Sequence, residues 1–417
     1  MRYLIIGNSA AGVTAAEAIR KMDKKGEIAI VSDEPYPAYS RIFITNILAG
    51  TASLENILMR PPDFYEKFKI KAILGQKVIQ VDPLSHEAYL EKGDVLSFDR
   101  LLLATGASPQ LPPVPGSHLL GVTGMRTLAD ALEVAKRLED SPGLPVAVIG
   151  GGLVSLKSTE ALINRGAKII LVVKSTQILS QMLDERAASI IQRRMLDAGI
   201  KVMLGYDLVA YEGEKELEAV YLDNGEKIVA RLAIVAKGVV PNLELAKGMG
   251  LQVNRGIMVN PYQETSQEGI YAAGDVAETY DPVRRQGTVN AMWPNAVFQG
   301  EAAGLNMAGL RVPARTGTRV NAASFFGLQA ASVGRIRPLE GDEEVTVVDR
   351  GNNYHKLIFR EESLVGAVLV GDIRNIGYYR WLIAEQRSAS SLRQELGRKI
   401  YNFSACWARV TPLRCSI

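Results

Sequence analysis

The sequence predicts an α/β chain built as two like halves, followed by a smaller α+β domain. A glycine loop is written twice, 143 positions apart: Gly7-Asn8-Ser9-Ala10-Ala11-Gly12 and Gly150-Gly151-Gly152-Leu153-Val154-Ser155. Each copy follows a short apolar run, Tyr3 to Ile6 or Val146 to Ile149, and precedes an amphipathic stretch, Val13 to Arg20 or Leu156 to Asn164. Both read as strand, tight turn, helix. From about Val312 the pattern shifts to alternating short strands, Glu344 to Val348, Tyr354 to Phe359 and Leu364 to Val370, followed by helices.

In a strand–turn–helix of this kind, glycine lets the backbone bend sharply and approach a diphosphate, while free N–H groups and the positive end of the helix hold its charge. Two such turns imply two dinucleotides and two Rossmann-like domains. Neither copy keeps every glycine of the G-x-G-x-x-G fingerprint. Ser9 replaces the middle glycine of the first and Ser155 the last glycine of the second. Taken singly, either loop is equally a glycine-rich turn in a packed α/β core.

Three more segments bear on that choice. Leu101-Leu102-Leu103-Ala104-Thr105-Gly106-Ala107 is an apolar strand running into a small-residue turn that admits a close neighbour; its plain reading is a buried strand. Thr265 through Gly274-Asp275 is a strand that ends by presenting a carboxylate, which alternatively caps the next helix. Met292-Trp293-Pro294-Asn295-Ala296, with Gln299-Gly300 and Ala302-Ala303, starts a helix of small residues.

The order and spacing of these five segments resemble the pyridine nucleotide-disulfide oxidoreductase superfamily, flavoproteins with two dinucleotide-binding domains. Within it the resemblance is nearest to NADH:rubredoxin oxidoreductase and to the amino-terminal flavoprotein part of assimilatory nitrite reductase. It extends to Asp33-Glu34-Pro35, Tyr39-Ser40-Arg41 and the run Leu364 to Asp372, and so covers about residues 1 to 395. It implies a discontinuous FAD domain over 1–107 and 243–311, an NAD(P)-binding domain over 108–242 and a carboxy-terminal α+β interface or dimerisation domain over 312–417. The proline-rich stretch Ser108 to Gly116 and the pair Pro241-Asn242 mark the crossings.

The resemblance also assigns roles. Gly7, Ser9, Ala10, Ala11 and Gly12 face the FAD diphosphate. Asp33 and Glu34 stand at the end of the second strand, where a carboxylate accepts the ribose hydroxyls; the family pattern favours Glu34. Ala104, Thr105 and Gly106 form the close turn, Gly274 and Asp275 meet the ribityl chain, Trp293 opens the small-residue helix, and Arg41 lies near the isoalloxazine. For the second nucleotide the corresponding residues are Gly150, Gly152, Leu153, Val154, Lys174 and Gly238.

Two positions depart from the family pattern. NADH-specific members carry a glutamate at the end of the second strand of the nicotinamide domain. Here Val173 holds that place, followed by Lys174, Ser175 and Thr176. A carboxylate repels a 2′-phosphate whereas lysine and hydroxyls receive one, which makes NADPH a cofactor choice beside NADH; the alternative is a half that binds the nucleotide poorly or binds another. Many relatives also pair a lysine with a glutamate beside flavin N5, and here those positions are Asn46 and Lys157. Lys157 is expected to supply positive charge from the opposite side and ease negative charge on reduced flavin; its plain reading is a solvated helix lysine. Arg41, Asn46 and Lys157 are therefore the catalytic candidates.

Cysteine usage narrows the chemistry. The chain has two cysteines, Cys406 and Cys415, and none from Tyr39 to Leu48, where disulfide reductases of the superfamily carry their redox thiols. No thiol relay is expected there, and two cysteines are too few for an iron–sulfur cluster. The tail pair lacks the Cys-x2-Cys spacing of a zinc or redox motif and reads as structural or incidental. His86, His118 and His355 show no ligand spacing, so no metal is expected.

Composition fits a globular chain. The 417 residues, 47% of them hydrophobic, suffice for several cores, and a net charge of +3 with interspersed signs gives no ground for a nucleic-acid partner. No apolar run approaches the ~20 residues that cross a bilayer, and residues 1–12 read as strand and turn, so no membrane insertion and a cytoplasmic location are expected.

The expected function is FAD-dependent oxidoreduction: hydride from NAD(P)H to flavin N5, then electrons to a redox protein such as rubredoxin, ferredoxin or an iron–sulfur subunit, without a redox-active disulfide. Arg284 and Arg285 suggest a basic docking face for an acidic partner. Two alternatives stay open, an NAD(P)H oxidase or small-molecule reductase acting at the flavin, and a non-catalytic FAD-binding subunit of a larger redox complex. A homodimer is also open. Phe325-Phe326-Gly327 and Tyr378-Tyr379-Arg380-Trp381 read as core first and docking surface second.

Overall fold

Continuous apolar strands need cover on both faces, and parallel sheets flanked by helices provide it. In the computed structural model the chain divides into two compact units: Met1–Pro109 with Arg126–Leu128 and Val239–Gly317, and Gln110–Met125 with Ala129–Gly238 and Thr318–Ile417. The structure describes residues 1–281, 286–315, 319–348 and 353–397. Cys406, Cys415, Arg284 and Arg285 lie outside the described residues.

The first unit is centred on a five-stranded parallel sheet ordered Ile270–Ala272, Arg100–Leu103, Arg2–Ile6, Glu27–Ser32, Ile70–Leu74. After Ile70–Leu74, the last of these strands, the chain forms an antiparallel meander, Val78–Asp82, Glu87–Leu90 and Val95–Ser97. The helix Ala10–Met22 covers one face and packs against Trp293–Met307. That approach is close because the second helix is lined with small residues: a Cβ on Gly300 would lie 2.3 Å from the Ala11 carbonyl oxygen, and one on Gly304 2.4 Å from that of Ala15.

The second unit repeats the plan. Its parallel sheet runs Lys201–Leu204, Lys168–Val173, Pro145–Ile149, Leu232–Val235, Val122–Thr123, and its meander is Leu208–Glu212, Ala219–Leu222, Lys227–Val229. In both sheets the strand before the glycine turn is central, flanked by the strand after the helix and by the strand after the meander. The duplicated loop is thus a duplicated domain plan.

An antiparallel sheet, ordered Val320–Phe325, Leu328–Gly334, Ser363–Val370, Tyr354–Arg360, Glu343–Val348, also belongs to the second unit. Phe325 and Tyr379 are fully buried, and Tyr379 and Leu382 of the helix Ile376–Ala384 pack on Val333, Leu357 and Phe359. Those aromatics are core; Trp381 remains partly exposed and stacks on Tyr378.

Three boundaries differ from the sequence reading. Both nucleotide helices begin three residues earlier, at Ala10 and Leu153, because small residues of the turn already have helical geometry. From Thr265 to Asp275 only Ile270–Ala272 is strand; Thr265 instead uses its hydroxyl to close a turn on the Ile270 carbonyl (2.9 Å). Among the described residues no helix is long and apolar enough to cross a membrane.

Candidate functional site

In the first unit the turn after Arg2–Ile6 is shaped by close backbone approach. Gly7 has φ +122°, and a Cβ there would lie 2.1 Å from the Ala104 carbonyl oxygen; one on Gly12 would lie 1.9 Å from that of Gly7. Gly7 donates to the Val31 carbonyl (2.8 Å), which fixes the turn over the sheet. Ser9 caps the helix Ala10–Met22 with extended backbone but leaves the first-turn amides to Ala10, Ala11 and Gly12 without a side-chain acceptor. That turn holds no acidic residue, and Arg20 and Lys21 sit in the last turn, so the dipole is open to an anion at its amino end.

Several of the expected flavin residues are joined by hydrogen bonds. Glu34 is half-buried and Asp33 exposed. The Glu34 carboxylate accepts from both Arg41 and the Tyr39 hydroxyl. Burial pushes the Tyr39 phenol well above its usual range, so it stays protonated and donates. Arg41 also donates to the Arg126 carbonyl (3.0 Å), and the Leu128 amide donates to the Tyr39 oxygen (2.9 Å). Asp275, after the Gly274 turn at φ +84°, pairs with Arg126 at 2.7 Å. Gly274 donates to the Gln299 side chain (2.8 Å), and Thr105 and Asn242 exchange hydrogen bonds (3.0 and 2.8 Å) beneath Gly106. Asn46 is half-buried on the short helix Ile44–Leu48, and Trp293 is partly buried at the start of its helix.

Arg126 was not a candidate from sequence. It lies 149 positions from Asp275, and Gly124-Met125-Arg126-Thr127 carries no local signal. The structure places residues 126–128 with the first unit, where they tie Glu34, Arg41 and Asp275 into one network.

The second unit repeats the turn. Gly150 has φ +124° and donates to the Val172 carbonyl (2.8 Å); a Cβ there would lie 2.3 Å from the Ala236 carbonyl oxygen. Ser155, at the missing third glycine, is fully buried and donates its hydroxyl to the same Ala236 carbonyl (3.3 Å). The serine therefore fits this packing with a hydrogen bond of its own. A Cβ on Gly152 would meet nothing within 4 Å, which leaves backbone open toward a cleft of ≈ 450 Å³. Leu153 lines that cleft and Val154 is exposed. Lys174, Ser175, Asp207, Lys237, Gly238 and Arg319 complete its polar wall.

Lys157 lies one turn into the helix Leu153–Asn164. It pairs with Glu160 and donates to the Ser324 carbonyl (3.3 Å), while Glu160 accepts from the Phe326 amide (3.1 Å). It is thus a partly exposed, ion-paired lysine that ties the helix to the Val320–Gly334 hairpin. Glu160, Asp207, Lys237 and Arg319 were not singled out from sequence, because what joins them is tertiary contact. Among the described residues no group of three or more His, Cys, Asp or Glu is placed to hold a metal.

The residues present fit two dinucleotides: each turn combines a glycine backbone that a side chain would obstruct with a helix start free of acid. Residues 1–300 match the family described as "Pyridine nucleotide-disulphide oxidoreductase". The chain belongs to that family. Residues 320–387 match the description "Rubredoxin NAD+ reductase C-terminal domain". As a member the protein is an FAD- and NAD(P)H-dependent oxidoreductase.

Similar proteins include the assimilatory nitrate reductase electron transfer subunit of Bacillus subtilis, 31% identical over 95% of this chain; the chain spans 51% of that protein's length. The NADH-dependent phenylglyoxylate dehydrogenase subunit epsilon of Aromatoleum evansii is 34% identical, over 94% of this chain and 93% of its own. The structure of NADH:rubredoxin oxidoreductase from Clostridium acetobutylicum superposes with a TM-score of 0.77 at 26% identity, covering 93% of this chain and 96% of that one.

Proposed function

We propose that this chain takes electrons from NAD(P)H and delivers them to a separate redox protein or subunit, with rubredoxin, ferredoxin and iron–sulfur subunits as the acceptor class. The observation that carries this is the thiol-free stretch Tyr39 to Leu48 in a chain whose end matches a rubredoxin reductase C-terminal domain. With no sulfur in that stretch to take over the electrons, an acceptor must meet the flavin edge itself. Bound FAD supplies the chemistry that converts a hydride into single electrons.

The chain's own residues bind and orient. The amides of Ala10, Ala11 and Gly12 hold one diphosphate and those that follow Gly152 the other. Glu34 takes the adenosine ribose of FAD, released for that task by Arg41 and Tyr39, which both bind it in the structure. Asp275 meets the ribityl chain, held in place by Arg126. Gly106 and Trp293 belong to the flavin half and Gly238 to the nicotinamide cleft, and by the resemblance Asn46 and Lys157 hold the sequence positions of the family's lysine and glutamate.

The test is anaerobic reduction of rubredoxin and of a plant-type ferredoxin by NADPH and by NADH, with the FAD-loaded protein as catalyst. Turnover of either carrier well above the rate of oxygen consumption in air supports the proposal. Rapid NAD(P)H oxidation in air with neither carrier reduced would assign the protein to the oxidases instead.

A further inference from the structure

The second cleft is not walled by the nucleotide-binding half alone. Arg319 and Asn321, from the carboxy-terminal part of the chain, line it together with the turn Gly150 to Leu153. Asn321 lies on Val320–Phe325, an edge strand whose one neighbour among the described strands is Leu328–Gly334. Its side chain is half-buried and, among the described residues, has no hydrogen-bond partner. The lysines elsewhere in the wall are already engaged: Lys237 and Lys174 both meet Asp207, at 2.5 and 3.2 Å.

An edge strand has one row of backbone groups outside the sheet ladder, so its position depends on what else holds it. Here the nucleotide helix Leu153–Asn164 does so. Lys157 donates to the Ser324 carbonyl (3.3 Å), and Glu160 accepts from both Lys157 and the Phe326 amide (3.1 Å). The second contact falls on the turn of the hairpin. Phe325 pairs with Leu328 across two residues, and both have positive φ, +49° at Phe326 and +77° at Gly327. Glycine adopts that conformation freely, whereas phenylalanine is strained in it and persists where its surroundings over-determine it. The Glu160 carboxylate, a charge-assisted acceptor for the Phe326 amide, is such a restraint.

We propose that the carboxy-terminal domain completes the nicotinamide nucleotide site: the Asn321 amide and the Arg319 guanidinium bind the nucleotide's diphosphate, and Glu160 is a positioning residue for their strand. This deepens the nucleotide assignment above and rests on it. A side-chain amide N–H and a guanidinium are donors suited to phosphate oxygens. The helix that offers its first amides to the diphosphate carries Glu160 two turns further on. Through Glu160 that one helix fixes both sets of donors relative to each other.

The experiment is calorimetric titration of the full FAD-loaded protein with NAD+ and with NADP+, oxidised forms that do not reduce the flavin. Asn321→Ala should weaken both by the same factor, about three- to tenfold, because the diphosphate is what they share; the melting temperature of the nucleotide-free protein should hold. Arg319→Gln should weaken both and flatten the salt dependence of binding. Glu160→Ala should weaken both as Asn321→Ala does, and Glu160→Gln, whose amide oxygen still accepts from Phe326, should restore most of the affinity. Asn321 and Arg319 reach the surface, so their variants decide the point even where Glu160→Ala does not fold. Unchanged affinity in Asn321→Ala, a loss confined to NADP+, or a Glu160→Ala that lowers the melting temperature without touching affinity overturns the inference and leaves the nucleotide site standing. A parent protein that binds neither nucleotide overturns the site assignment with it.

Discussion

Gly150 and Gly152 stand two positions apart in one turn, and a methyl added at each should have separable effects. At Gly150 the backbone sits at φ +124° and the new Cβ would lie 2.3 Å from the Ala236 carbonyl oxygen. Opening that contact to ordinary separation moves the turn by about 1 Å, and the strained dihedral adds to the cost, for a total of about 3 kcal/mol. In a unit of this size such a loss lowers the melting temperature by roughly 6–12 °C. At Gly152 the dihedral is φ −88° and nothing lies within 4 Å, so an alanine fits. Its weaker capping preference and the stiffer unfolded chain offset each other to within ~0.5 kcal/mol. That methyl nevertheless stands where a diphosphate must approach the first-turn amides. Loss of one charge-assisted hydrogen bond weakens NADPH and NADH binding by roughly ten- to a hundredfold. Thermal unfolding of the nucleotide-free protein and calorimetric titration of each variant separate the effects. Unchanged affinity in Gly152→Ala, or a melting loss there equal to that of Gly150→Ala, refutes the assignment of this turn.

Arg126→Met should leave Asp275, with a side chain 17% exposed, without that partner. Discounted for partial solvent screening, the loss is about 1–2 kcal/mol, measurable as roughly tenfold faster FAD release by fluorescence; an unchanged release rate would show that the pair does not position Asp275. Lys157→Met should make the flavin potential more negative by removing a cation, and an identical spectroelectrochemical midpoint would reduce Lys157 to its link with Glu160 and the hairpin. Asp207 predicts a pH signature. Its folded-state pKa is depressed, so its contribution to stability is present above the ordinary carboxylate range near 4 and fades as pH falls through the lower folded value. Urea unfolding of Asp207→Asn should therefore show a flatter decline below about pH 4 than the parent; parallel curves would contradict it.

The parts legible in the sequence are those set by local backbone demands. Gly7 and Gly150 could be read because a side chain there collides with the carbonyl of a neighbouring strand in both halves, and a demand met twice leaves the same letters twice. The short apolar strands were legible for a like reason, since both faces are covered. Both helices start three residues ahead of their amphipathic pattern because Ala10 to Gly12 and Leu153 to Ser155 have the composition of a turn. What escaped reading depends on long separations. Arg126 meets Asp275 across the nicotinamide half of the chain, and Asp207 gathers lysines from the ends of two strands, Lys168–Val173 and Leu232–Val235. No periodicity encodes either meeting. Ser155 shows the converse: it departs from the glycine fingerprint, yet its hydroxyl bonds the carbonyl that its side chain adjoins.

The proposed electron route requires two nucleotides on one chain and reduction of the flavin by the nicotinamide one without sulfur. Anaerobic titration of the FAD-loaded protein with NADPH and NADH, followed by the visible flavin spectrum, tests it most directly. Bleaching of the flavin bands by about one equivalent of nucleotide is expected, unchanged after thiol alkylation. A protein that takes up no FAD, that stays yellow with both nucleotides, or that loses the reaction on alkylation would contradict it.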